Sequence, residues 1–165
     1  MFDDELITLA TEVLDKARAK GIHLASAESC TGGLIMGCLT EIAGSSDVVD
    51  RGFITYTNRA KMEVLGVSAN IIRDHGAVSE ACARAMAEGA LAASSATIAV
   101  AVTGVAGPGG GSVEKPVGLV HMAVCGRNGD NMHQRCLFGD VGRTNVRLRT
   151  VDKALELTLK MITRF

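Results

Sequence analysis

Ser29 lies in the run Ala27-Glu28-Ser29-Cys30-Thr31-Gly32-Gly33, between a short apolar stretch and a helical pattern. A hydroxyl between a strand end and a helix start meets backbone N–H groups that lack intrahelical partners. Those donors, with the helix dipole, favour an anion or a developing oxyanion. Gly32 and Gly33 would let a substrate approach the backbone, with Cys30 and Thr31 beside it. Serine is also a preferred helix cap, and capping alone would account for Ser29. The run is not Gly-x-Ser-x-Gly, so it is not the nucleophile elbow of α/β-hydrolases.

A second group is Thr55-Tyr56-Thr57-Asn58-Arg59-Ala60-Lys61. Tyr56 ends a predicted strand, and Lys61 falls in the first turn of the next helix. A lysine there is poorly placed for helix stability, because the helix N-terminus is already positive. The same field would lower its pKa, as a lysine base requires. The other reading is a solvated surface lysine.

The stretch from Thr103 to Lys115 is rich in glycine and includes Gly104 and Gly107. Such loops can cradle phosphate or ribose. This one matches neither the Walker pattern nor Gly-x-Gly-x-x-Gly, and a plain connector is the alternative. Arg143 and Arg147 stand four apart on one predicted helix face. Two guanidiniums near a helix start suit phosphate better than they suit the helix, although a surface pair would look the same. His23, His75, His121 and His133 are dispersed without ligand spacing, so no metal is expected.

The elements that must carry these residues follow from periodicity. Leu6, Leu9, Ala10, Val13, Leu14 and Ala17 recur at helical spacing, with acidic residues before them and Gly21 after. Ile22–Ala27 reads as a buried strand, followed by a helix from Leu34 to a stop at Gly44. Val48–Tyr56 reads as a second strand, and Asn58 as the cap of a short helix ending at Gly66. An alanine-rich helix runs from Ser79-Glu80 to about Ala93, and Thr97–Thr103 is a central strand. Val117–Cys125 and Asn131–Phe138 flank Asn128-Gly129, a hairpin signal. A long helix begins near Asp140. Strands alternating with helices, then a hairpin, predict an α/β chain with a mixed sheet between helices.

Composition limits the function. The 165 residues suit one domain, are 47% hydrophobic and 21% charged, and carry a net charge of −1. There is no basic bias and aromatics make up only 3%, so neither phosphate tracking nor base stacking is favoured and no nucleic-acid partner is expected. The five cysteines include no Cys-x-x-Cys pair, which fits a reducing cytoplasm. No signal-peptide pattern or bilayer-length apolar run occurs, so no membrane partner is expected.

Taken together, the motifs resemble a known family. The run from Ala27 to Gly33, Gly52-Phe53-Ile54-Thr55-Tyr56-Thr57-Asn58, Ala60-Lys61, Leu65-Gly66-Val67, His75-Gly76-Ala77-Val78-Ser79-Glu80, Gly104-Val105-Ala106-Gly107-Pro108 and Lys115-Pro116-Val117-Gly118 are similar to the C-terminal domain of the competence-damage protein CinA. The resemblance extends over nearly the whole chain. It implies a single three-layer α/β/α sandwich over residues 1–165. It also implies deamidation of nicotinamide mononucleotide to nicotinic acid mononucleotide and ammonia.

The resemblance further implies a serine nucleophile assisted by a lysine and a tyrosine, roles that fall on Ser29, Lys61 and Tyr56. Thr57 stands where many relatives carry serine, a conservative departure. The amino-terminal domain of full-length relatives has no counterpart here, and its activity is not expected. On this reading Cys30, Thr31, Gly32, Gly33, Thr103, Gly104, Gly107, Arg143 and Arg147 contact the substrate, no cofactor is needed, and the chain forms a homo-oligomer, taken as a dimer. Rival readings are a nucleotide-binding module without turnover, a Cys30 thiol enzyme, and a structural partner in DNA uptake.

Overall fold

Alternation along one strand explains the layering. In β3 (Ile98–Gly104), Ile98, Val100 and Val102 face one side, and Ala99 and Ala101 face the other. The branched side meets α1 (Asp4–Ala19), α2 (Leu34–Thr40) and α6 (Arg143–Ile162) in the larger core. The alanine side meets α3 (Asn58–Leu65) and α5 (Glu80–Ala92) in a smaller core, with α4 (Ala69–His75) packed beside it. Small side chains on both partners bring α5 close to the sheet. The computed structural model describes residues 1–165.

The sheet order is β2-β1-β3-β4-β5, with β1 (Leu24–Glu28), β2 (Val49–Ile54), β4 (Leu119–Gly126) and β5 (Asn131–Leu137). β1 pairs in parallel with β2 and β3, and the hairpin β4–β5 continues the sheet antiparallel from β3. This is the expected mixed sheet between helical layers. β1 lies between its two parallel neighbours. The chain leaves it through α2 on one face and returns from β2 to β3 through α3, α4 and α5 on the other. Ligand crevices form outside the carboxyl ends of strands at such a reversal.

Local chemistry explains where element boundaries differ from expectation. The cap of α3 is Thr57, whose hydroxyl accepts the Ala60 N–H at 3.1 Å, so Asn58 is the first helical residue and not the cap. Helix α2 stops at Thr40 instead of running to Gly44, and Ser45–Asp47 forms a separate turn. α6 starts at Arg143, after Gly142 at φ +88°, and not near Asp140. α4 was not anticipated; Ser68 caps it by accepting the Asn70 N–H at 3.2 Å.

Candidate active site

Three parallel strands deliver their carboxyl ends to one place. Ser29 follows β1, Thr55 and Tyr56 follow β2, and Thr103 and Gly104 close β3. Ser29, Lys61, Tyr56, Asn58, Thr103 and Arg143 border one cavity of about 300 Å³ with the loop from Gly104 to Gly110. That volume is at the lower end for small-molecule sites.

Lys61 is the largest of the almost fully buried side chains, only 1% exposed. The α3 cap directs its stem inward. Its Nζ lies 2.9 Å from Ser29 Oγ, 2.8 Å from the Thr55 carbonyl and 3.3 Å from the Tyr56 carbonyl. Carbonyls only accept, so they take two N–H groups of the amine. A neutral amine therefore keeps its lone pair for the Ser29 hydroxyl. Burial lowers the Lys61 pKa, because the charged form loses its water. The solvated-lysine alternative is excluded. Ser29 caps nothing: Gly33 stands at the α2 cap position, with no side-chain bond to the helix.

The α2 start is sealed by a residue to which the sequence reading gave no role. Glu28, 1% exposed, accepts from the Ser26 and Thr31 hydroxyls and from the backbone N–H groups of Gly33, Ile35 and Met36, at 2.7–3.0 Å. A buried carboxylate with five donors is well satisfied. Its position just before the Ser-Cys-Thr-Gly-Gly turn was the available signal. The first amides of α2 are therefore not free for a substrate.

Cys30 borders the cavity, but burial pushes its thiol up to about 12. A thiol that stays protonated at neutral pH is a poor nucleophile, which counts against the thiol-enzyme reading. The Tyr56 hydroxyl accepts from Arg143 Nη2 at 2.9 Å. Arg143 also donates to the Gly107 carbonyl at 2.8 Å, joining α6 to the glycine-rich loop. Thr103 donates to the Ala77 carbonyl at 2.9 Å.

Four predicted contacts are placed elsewhere. Arg147 does not border the cavity; it donates to the Cys30 carbonyl at 3.1 Å and the Thr31 carbonyl at 2.8 Å. Thr31 is fully buried on Glu28. Gly32 and Gly33 adopt φ +60° and +100°, left-handed values that make glycine the natural residue there. A methyl on Gly33 would press on Ile54 at 3.0 Å, so these glycines shape the turn and do not border the cavity. The histidines are not all dispersed: β-pairing stacks His121 on His133, with ring nitrogens 3.0 Å apart. No three His, Cys, Asp or Glu side chains converge as metal ligands would. No helix is long and apolar enough to cross a membrane.

Comparison with known proteins gives the same grouping. A "CinA-like protein" of Anaeromyxobacter dehalogenans is 47% identical over 93% of this chain, which spans only 36% of that longer protein. The "Nicotinamide-nucleotide amidohydrolase PncC" of Enterobacter agglomerans is 46% identical, with 97% of each chain covered. The crystal structure of the competence/damage inducible protein CihA from Agrobacterium tumefaciens superposes with a TM-score of 0.96 at 54% identity, covering 99% of this chain and 98% of that one. The family model that matches residues 6–162 is the CinA C-terminal domain, and the chain belongs to that family.

Proposed function

We propose that the chain is a serine amidohydrolase that converts nicotinamide mononucleotide to nicotinic acid mononucleotide and ammonia, acting as one domain over residues 1–165. The observation that carries this reading is the buried contact of Lys61 Nζ with Ser29 Oγ at 2.9 Å. A binding-only module would have no use for an amine held unsolvated against a hydroxyl. The amidohydrolase named above, matched end to end, supplies the substrate class.

Neutral Lys61 takes the Ser29 proton as Oγ attacks the carboxamide carbon, and backbone N–H groups hold the oxyanion. The carbon–nitrogen bond then breaks. The amide nitrogen takes a proton from Lys61 and leaves as ammonia. A water molecule, giving its proton to Lys61, cleaves the acyl ester and restores Ser29. Arg143 and the Gly104–Gly110 loop face the phosphate and ribose. Tyr56, bonded to Arg143, belongs to that substrate frame and not to the proton path. A cytoplasmic homodimer belongs to the same reading; its stoichiometry is open to light scattering.

The direct test incubates pure protein with nicotinamide mononucleotide and measures ammonia and the acid product. Ser29→Ala should lose all but a trace of turnover with the fold intact. A variant that keeps more than a few per cent of the rate would remove Ser29 as nucleophile.

A further inference from the structure

The turn after Ser29 is held from two sides by charged groups. Glu28 takes the N–H groups of Gly33, Ile35 and Met36. Arg147, reaching across from α6, takes the carbonyls of Cys30 and Thr31. In a trans peptide the C=O and N–H point in opposite directions. A guanidinium on the Cys30 carbonyl therefore aims the Thr31 N–H the other way. The Gly32 N–H on the Ser29 carbonyl, at 3.1 Å, does the same for the Cys30 N–H.

Neither of those two N–H groups bonds to an oxygen of the protein, the Cys30 N–H meeting only its own thiol, although Cys30 is 5% exposed and Thr31 is 0% exposed. Buried backbone donors without partners are rare. Here they are consecutive and directly follow the candidate nucleophile.

We propose that Arg147 is a positioning residue of the oxyanion site. By holding the Thr31 carbonyl it turns the Gly32 N–H onto the Ser29 carbonyl, and so presents the Cys30 amide, at the cavity wall, to the oxygen that becomes negative when Ser29 Oγ attacks. This replaces its expected role as a phosphate ligand. The inference rests on Ser29 being the nucleophile, but not on the identity of the nucleotide.

An activated ester separates the two. With p-nitrophenyl acetate, Ser29 Oγ bonds to the acetyl carbon, the ester C–O bond breaks, p-nitrophenolate leaves with the electron pair, and the serine proton passes to Lys61. This acylation needs oxyanion donors but no phosphate. Arg147→Met should slow it about 100-fold, the scale of losing one oxyanion donor. In ammonia release the same variant should lower kcat comparably and leave KM within about twofold. Its preference for nicotinamide mononucleotide over the riboside should equal that of wild type. Arg147→Lys, which keeps the charge and reaches one carbonyl, should fall between; it also serves if the methionine variant does not fold.

Unchanged acylation with a raised KM and a lost preference for the mononucleotide would overturn the proposal and restore Arg147 as a phosphate ligand. A wild type that is acylated on Ser29, slowed by Arg147→Met, yet releases no ammonia would withdraw the substrate and leave the cradle standing. A wild type that does neither would overturn both.

Discussion

At the scale of the residue, Lys61 connects stability with mechanism. Burial lowers its pKa from 10.5, so the unfolded chain binds more protons than the native one between the native value and 10.5. Stability therefore rises with pH through that window, and the lysine burdens the fold most below it. Lys61→Met removes this dependence. Its melting temperature relative to wild type should be most favourable near neutral pH and decline toward pH 10; a difference independent of pH would mean the amine is not desolvated. Turnover should vanish in the same variant. Lys61→Arg should fail nearly as badly, because a guanidinium keeps its proton and cannot accept one from Ser29. An arginine enzyme with near-normal kcat would end the general-base role. Lys61 and Ser29 could be singled out by residue type and motif, but nothing in their spacing showed that both approach from different strand ends.

At the scale of the element, the position of Lys61 depends on how α3 meets α5. Both helices lie on the alanine side of the sheet, and Gly89 of α5 packs directly against Leu65 of α3. A methyl there would sit 2.0 Å from the Leu65 carbonyl oxygen, at the last residue of α3. Helix propensity alone favours alanine over glycine by about 1 kcal/mol. The clash wins, since forcing atoms into a packed interface costs about 1–3 kcal/mol. Gly89→Ala should lower the melting temperature by several degrees and reduce kcat, because α3 must shift and carry Lys61 from Ser29. A variant as stable and active as wild type would show that the two helices are not in this contact.

The alanine pattern of α5 and the apolar run of β3 were legible because burial dictates composition. α4 was not, since its seven residues bury no side chain completely and leave little periodic signal. Arg143 and Arg147 share a helix face, as their spacing indicated. Their separate tasks, one at the cavity and one under the turn, depend on where the β1 and β3 loops run, which one helix cannot reveal.

At the scale of the whole molecule, the sheet joins the site to a polar cluster on the far hairpin. His121 on β4 and His133 on β5 stack on the α5 side. Glu80, the first residue of α5, lies 3.4 Å from His133 and accepts from Arg84, which also donates to Asn131. Arg135 and Lys115 add positive charge nearby. Burial first, then the neighbouring His133 and Arg135, press His121 down from 6.5 to about 4, while Glu80 opposes the shift. Burial lowers His133 as well.

The unfolded chain thus binds more protons than the native one between about 4 and 6.5. The stability held by neutral His121 is complete above that window and is lost as pH falls through it. Melting temperature should decline from pH 6.5 to 4, and His121→Gln, which cannot charge but can still bond to His133, should flatten the decline. Carboxylates titrate in the same range, so the wild-type slope alone decides nothing; the difference between the two slopes isolates the imidazole. Ala77 and Val78 border the cavity just ahead of α5, so loosening this corner should also slow turnover as the fold weakens. Parallel slopes for wild type and His121→Gln would show that His121 is not held neutral, and the acid sensitivity would then belong to the carboxylates.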